Sequence, residues 1–534
     1  MNYPNIRDFF VCFRSVCTTF AGKNHLMQTI DLIIFLVFTL GVVLFGCSFF
    51  RRNTSSDEFT SASRSLPGWV VGMSIFATYV SSISYIGYPG KAFASDWNAL
   101  VFSFSIPIAS YFAARYFVPF YRQSGNVSAY AFLEERFGRW ARLYASTCYL
   151  LTQVARMGSI LYLLAVPMHI LMGWNMVTVI IATSLAVIAY SMLGGIRAVI
   201  WVDAIQGILL IGGALLCLGV VLFSMPDGPM QAFDIAFHSP EGNKFSLGAF
   251  TADLTTSTFW VCLVYGIFIN LQNYGIDQNY VQRYHTARTD RDARFSALFG
   301  GWLFIPVSAV FFLIGTALYS YYSVMEGGLA ALPAEIAAKP DYVFPYFIVS
   351  KLPVGVRGLL IASIFAAGMS TVSTSVSSGA TIVLKDFFGE RRARSGEQEV
   401  FILRLSSCAL GVLGAIVAVA MLSVESIIDA WWTLSSIFSG GMLGLFLLGW
   451  LTADGSPLTL LARRAKNPRR RFVAALAGVV CGVLVIAWIS LASSFQLPGI
   501  HLHEYLAIVL GTTAIFLVGF LCLFAQNAVS ADYQ

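Results

Sequence analysis

Long apolar stretches separated by short polar ones run along almost the whole chain. Stretches near the ~20 residues that a helix needs to cross a bilayer core fall at 30–50, 68–94, 98–120, 140–172, 176–193, 198–225, 257–280, 295–322, 354–384, 400–423, 426–451, 472–494 and 504–525. The pattern predicts an all-α polytopic membrane protein of about 13 transmembrane helices. Two stretches are interrupted. The second, "GMSIFATYVSSISYIGYPGKAF", carries Ser81, Ser82, Ser84, Gly87, Pro89 and Gly90 in its middle. The seventh, "YGIFINLQNYGIDQNYVQRY", carries Asn270, Gln272, Asn273, Gly275, Asp277 and Gln278 where lipid-facing sequence would be apolar. Both are expected to unwind, and at membrane depth an unwound segment survives only where protein or a water-filled cavity surrounds it. Interrupted helices five spans apart point to an inverted-repeat transporter. The organisation predicted from this spacing is an N-terminal extracytoplasmic segment (1–29), an accessory helix (30–50), a first repeat (68–225), a second repeat (257–451) and two accessory C-terminal helices (472–525).

Composition agrees with this pattern, since only 11% of the 534 residues are charged and 57% are hydrophobic, against roughly 25% charged in soluble domains. Basic residues collect in alternate loops: Arg51, Arg52 and Arg64; Arg122, Arg136, Arg139 and Arg142; Arg197; Arg283, Arg288, Arg291 and Arg294; Lys385, Arg391, Arg392 and Arg394; and "ARRAKNPRRR". These loops are expected to be cytoplasmic, with the N-terminus outside and the C-terminus inside. The net charge of +6 then reflects topology, and no nucleic-acid surface is implied. The first 26 residues lack the uninterrupted apolar core of a signal peptide, and Met27 is an alternative start. Seven of the nine cysteines fall in or beside spans without a CxxC pair, so buried thiols are expected. Compact loops favour a bacterial inner membrane. No nucleophile motif, Walker loop or dinucleotide fingerprint is present, so neither an enzyme nor an organic cofactor is expected.

Candidate chemistry concentrates in "FAAGMSTVSTSVSSGATIV", Phe365 to Val383. On a helix, Ser370, Thr371, Ser373, Thr374, Ser377, Ser378 and Thr381 share a sector of roughly 160°. Hydroxyls of this kind let helices approach and bond to one another. They can also replace the hydration shell of a hard cation, helped by carbonyls from an unwound helix. Asp203, just inside an apolar span, is a functional candidate by default; it could serve sodium, carry a proton, or pair with Arg197. Arg156, in the middle of the fourth span, is too deep to snorkel easily and should meet either an internal carboxylate or an anionic substrate.

The phrases "FAAGMSTVSTSVSSGATIVLKDFF", "GGIRAVIWVDAIQG", "NLQNYGIDQNYVQRY" and "ATYVSSISYIGYPGKAFASDWN" resemble the signature regions of the sodium:solute symporter family over about residues 30–450. The resemblance implies a LeuT-type fold of five-plus-five inverted repeats. It implies a first sodium site from the carbonyls of Ala77, Val80 and Ala367 with the hydroxyls of Ser370 and Thr371. A second site from Asp203, Ser370, Ser373 and Thr374 is implied as well, hence two sodium ions as coupling ions. "ARMGSILYL" and "YPGKAFASDW" are most similar to the sialic-acid-transporting branch, where an arginine at the position of Arg156 holds the substrate carboxylate. Ser81 and Ser84 match substrate-touching hydroxyls of that branch, and Ser103 and Asn273 lie where polar contacts are expected. Tyr79 stands where that branch has a smaller hydroxyl residue, and Ser103 where it has a longer amide.

The function expected is sodium-driven import of a small organic solute, a carboxylated sugar such as sialic acid, by a monomer in the lipid bilayer. The alternatives are a neutral sugar or polyol, a monocarboxylate, and a sensor or channel on the same fold. Lys91 and Asp96 read as vestibule charges, Trp431 and Trp432 as packing or an outer gate, and His238, His285, His501 and His503 as loop residues.

Overall fold

The structure, a computed structural model, describes residues 29–325, 328–389, 395–423, 441–452, 467–494 and 502–531. Numbering only the long helices, it contains α1 (Thr29–Ser48), α2 (Gly68–Tyr79), α3 (Ser82–Ala94), α4 (Val101–Phe112), α5 (Arg139–Met172), α6 (Met176–Phe223), α7 (Phe259–Ile276), α8 (Gln278–Thr286), α9 (Asp290–Val324), α10 (Val356–Ile382), α11 (Gly396–Ala420), α12 (Met442–Leu451), α13 (Pro468–Ser494) and α14 (Leu506–Ala531). Among the described residues, ten helices are individually long and apolar enough to cross a membrane, and α2 with α3, bent by 52°, makes an eleventh span. The 48-residue α6 covers two of the predicted stretches. They meet at Gly195, whose φ of +58° only glycine adopts readily and where a Cβ would lie 3.1 Å from Asn53 and Phe59. Of the predicted span 426–451, only α12 is described. Trp431, Trp432, His501, Met27 and the 1–28 segment lie outside the described residues.

Both predicted interruptions are present. The second span breaks at Val80 (φ −80°, ψ 105°) and Ser81 (φ −101°, ψ 177°), so the carbonyls of the last turn of α2 lose the amides four residues on. The seventh breaks at Asp277 (φ −76°, ψ 125°), whose side chain caps α8 by accepting from Asn279 N at 2.7 Å. Tyrosine hydroxyls meet two carbonyls freed there, Tyr121 on Gly275 O at 2.9 Å and Tyr284 on Tyr274 O at 2.8 Å.

The hydroxyl-rich α10 lies at the centre, in contact with α1, α2, α3, α5, α6, α8 and α11, and every residue from Leu360 to Ile382 is buried. Its hydroxyls are compatible with an apolar interior because they bond back to their own helix, for example Ser378 to Thr374 O at 2.7 Å and Thr381 to Ser377 O at 3.0 Å. Both faces of this helix are covered, the hydroxyl face by the broken helices and the other by the accessory and neighbouring spans.

The accessory helix α1 is tied to the start of α10. Asp31, fully buried, accepts from Gly355 N at 2.7 Å and Gly358 N at 3.0 Å, filling amide positions that a helix N-terminus leaves open. A Cβ on Gly358 would sit 2.4 Å from the Asp31 carbonyl oxygen, so glycine permits this approach. Asp31→Ala is expected to lower the melting temperature of the purified protein, through a loss of about 1–3 kcal/mol. An unchanged melting temperature would show that lipid-facing packing alone holds α1.

Candidate functional site

A carbonyl at the end of α2 meets a side chain in place of its lost amide. Ala77 O accepts from Ser370 Oγ at 3.1 Å, and the same hydroxyl lies 3.0 Å from Ala367 O. Thr371 Oγ1 also donates to Ala367 O, at 3.2 Å. Four of the five groups assigned to the first site thus meet between α2 and α10, and the fifth, Val80, is the residue at which the helix turns. Ser370, Thr371, Ala77, Val80 and Ala367 are all buried. Neutral hydroxyl and carbonyl oxygens clustered out of water are the donor set a hard monovalent cation takes.

One turn further in, Asp203 on α6 is buried and paired, but not with Arg197. Its Oδ2 accepts from Arg283 Nη2 at 2.8 Å and from Ser74 Oγ at 2.7 Å. Arg283 Nη2 also donates to Thr374 Oγ1 at 2.6 Å, its Nε to Ser74 Oγ at 2.8 Å, and its Nη1 to Asn279 O at 2.6 Å. Asp203 Oδ1 has no hydrogen-bond partner among the described residues. Ser373 Oγ bonds to Ser370 O at 3.0 Å, and Thr374 Oγ1 lies 3.3 Å from Thr78 Oγ1. Thr374, Ser373 and Ser370 are therefore neighbours along one strip of α10, and Arg283 joins Thr374 to Asp203 of α6.

Arg197 instead pairs with Glu58 and donates to Ser65 Oγ at 2.8 Å. Arg283, which falls with the cytoplasmic arginines by position in the sequence, is fully buried on α8. His285 is likewise buried on a helix and not in a loop. The charges of Arg288, Arg291 and Arg294 just beyond hide Arg283 among surface residues. The signal that could have found it is the i, i+4 spacing of Asn279 and Arg283 after the Asp277 break, which continues a polar face inward.

The substrate candidates gather at the same break. Arg156, partly buried, donates from Nη2 to Thr78 O at 3.4 Å and forms no ion pair with a described residue. Asn273 Nδ2 bonds Tyr79 OH at 3.1 Å, and the Tyr79 ring lies 4.9 Å from Phe304, 5.8 Å from Tyr280 and 6.0 Å from Tyr274. Ser84 and Ser103 are buried and flank the Tyr88 hydroxyl, and Ser103 Oγ has no partner among the described residues. Ser81 is buried at the first residue past the break. The structure thus forms two groups, Arg156, Tyr79 and Asn273 around the break and Ser84 with Ser103 around Tyr88, with Ser81 on the chain between Tyr79 and Ser84.

Residues 59–453 match the sodium:solute symporter family. The sodium/sialic acid symporter NanT of Aliivibrio fischeri is 30% identical over 501 residues, covering 92% of each chain. The sodium/sialic acid symporter SiaT of Proteus mirabilis is 32% identical over 416 residues, 76% of this chain and 82% of that one. Among solved structures, the substrate-bound outward-open state of a sodium-coupled sialic acid symporter, described as revealing a novel sodium site, superposes with a TM-score of 0.83 at 28% identity. The match covers 93% of this chain and 97% of that one. The all-α, multi-pass membrane architecture expected from the apolar pattern and the LeuT-type fold implied by the resemblance both stand.

Proposed function

Because the chain belongs to the sodium:solute symporter family, we propose that it imports a carboxylated sugar of the sialic acid type, driven by sodium. The observation that carries this reading is Arg156, a guanidinium at the centre of the membrane-embedded core without an ion-pair partner among the described residues, beside the break of α2 and α3. A charge at that depth is costly unless something compensates it, and a planar carboxylate is the bidentate match for its fork. Ser81, Ser84, Ser103 and Asn273 would meet the sugar's hydroxyls. NanT and SiaT, both sodium/sialic acid symporters by name, support the assignment.

Sodium is the coupling ion. The first site takes it between Ala77, Val80, Ala367, Ser370 and Thr371, and the second places it against Asp203, Ser370, Ser373 and Thr374. Sodium at the first site bonds α10 to the broken α2, favouring the state in which Arg156 accepts the anion. An ion shifts a conformational balance only by binding one state better. Two sodium ions with one anion move net positive charge inward, so each sodium adds about 2.3 kcal/mol per 100 mV. Transport is expected to generate an inward current when sodium and substrate are added outside the proteoliposomes; a current that stays zero at all voltages would contradict the two-to-one count.

The basic loops gather at one face, where Arg197 meets Glu58 and Ser65, Leu66 bridges Ala287, and Arg122 reaches Ala287 O at 2.9 Å. This supports a shared cytoplasmic face for those loops; we place the N-terminus outside and the protein in a bacterial inner membrane. The chain works as a monomer and as a carrier without enzymatic chemistry. One feature favours a second reading, a smaller monocarboxylate: the Tyr79 ring, held by Asn273 and packed on Phe304, takes up cavity space. Calorimetric titration of the purified protein separates the two. Sialic acid should bind in sodium and not in potassium; binding of a short monocarboxylate alone would transfer the proposal to that substrate.

A further inference from the structure

Four buried or partly buried charges of alternating sign run from the proposed substrate site to the proposed second sodium position. Arg156 lies on α5, Asp277 at the break between α7 and α8, Arg283 on α8 and Asp203 on α6. Asp277 forms no ion pair with a described residue, and Arg156 and Arg283 are the cationic side chains near enough to stabilise its carboxylate through space. Arg283 and Asp277 grip the same residue: Asp277 Oδ1 accepts from Asn279 N at 2.7 Å, and Arg283 Nη1 donates to Asn279 O at 2.6 Å. Two side chains of α5 hold that residue in place, with Asn279 Oδ1 2.9 Å from Tyr149 OH and its Nδ2 3.3 Å from Gln153 Oε1. At the far end, Arg283 Nη2 covers Asp203 Oδ2 and Thr374 Oγ1, two oxygens that sodium needs at the second position. At the near end, Arg156 touches Thr78 O, and the Thr78 hydroxyl faces Thr374.

We infer that Asp277 is a relay that couples the substrate's carboxylate at Arg156 to the sodium position at Asp203, acting through Arg283. The inference rests on the proposed function. Before substrate arrives, Asp277 lies in the field of both guanidinium groups without an ion pair to either among the described residues, and Arg283 stays on Asp203 and Thr374. A carboxylate that pairs with Arg156 takes one of those positive charges away from Asp277. Asp277 then draws Arg283 toward itself, and the guanidinium moves off Asp203 Oδ2 and Thr374 Oγ1. A cation can take the vacated oxygens together with Asp203 Oδ1, which has no partner among the described residues. Unlike charges that interact in a low-dielectric interior are strongly coupled, so a shift at one end of the chain is felt at the other. Linkage makes the effect reciprocal: sodium at Asp203 frees Arg283 for Asp277 and releases Arg156 for substrate. Asp277 is a positioning residue in this scheme and touches neither ligand.

The test is a sodium titration of the purified full-length protein, followed by thermal melting, with and without saturating sialic acid. The quantity read is the ratio of the two half-saturating sodium concentrations, in which a general loss of affinity cancels. In the wild type the ratio is expected to be at least about fivefold, within the usual range for allosteric coupling. In Asp277→Asn it is expected to fall to within about twofold of unity. Asparagine retains the cap on α8, so the helix start is conserved. Arg283→Lys, which keeps a cation but loses the fork spanning Ser74, Asp203 and Thr374, is expected to lower the ratio in the same way and serves if Asp277→Asn does not fold. A wild-type ratio retained in either variant would overturn the relay while leaving the symporter intact. A wild-type protein without any substrate effect on sodium would overturn both.

Discussion

Ser370→Ala is expected to weaken sodium binding by about 10- to 100-fold and to remove most sodium-driven uptake. The hydroxyl reaches the carbonyls of both helices at the first site, Ala77 on α2 at 3.1 Å and Ala367 on α10 at 3.0 Å. An oxygen facing a cation is worth about 1.5–3 kcal/mol, and each 1.4 kcal/mol or so is tenfold in affinity. Ser370 is only 1% exposed, so water has no open route to replace the lost ligand. The alanine itself suits a helix interior, and Ala367 O keeps Thr371 Oγ1 as a donor, but Ala77 O on α2 loses the hydroxyl that replaced its amide. The melting temperature in potassium should therefore fall modestly, by the cost of one orphaned buried carbonyl, about 1–3 kcal/mol, while the sodium-induced rise in melting temperature disappears. A variant that retains the full sodium response would remove Ser370 from the site and with it the role assigned to the hydroxyl face.

Arg156→Ala separates the substrate half from the ion half. Truncating one partner of a desolvated charge pair costs about 2–5 kcal/mol, so uptake of a carboxylated substrate should drop at least about 30-fold. The sodium-dependent rise in melting temperature without substrate should persist, since Arg156 contributes no oxygen to either ion position. Arg156→Lys is expected to recover only a small part of the activity, because an ammonium keeps the charge but loses the planar fork. A transporter of neutral sugars would lose little in either variant. Comparing the two substitutions against both substrate classes thus reads the chemistry of the cavity independently of the ion.

The parts of this arrangement that were legible in the sequence are those written in local spacing. Ser370, Thr371, Ser373 and Thr374 recur at helical intervals, so the oxygen-lined face could be assigned before any fold was known. The breaks at Val80–Ser81 and Asp277 were legible because polar and glycine residues interrupt stretches that a bilayer would otherwise require to be apolar. What stayed hidden were partners joined across long separations. Asp203 meets Ser74 and Arg283, 129 and 80 residues away, and nothing in the local sequence distinguishes those partners from Arg197, six positions away. Arg283 was misplaced for a related reason: charge density near a span end marks the cytoplasmic side on average, but it does not tell which arginine of a cluster turns inward. Tyr79 shows the same limit from the other side, since its departure from a smaller residue was visible but its bond to Asn273 was not.

The central claim is that sodium at the α2–α10 contact drives a carboxylated sugar inward against its gradient. Uptake of labelled sialic acid into proteoliposomes holding the purified wild-type protein, with sodium outside and potassium inside, tests it most directly. The account predicts accumulation above the external concentration that collapses when the sodium gradient is dissipated. Uptake that only equilibrates, or that proceeds equally with potassium on both sides, would contradict it.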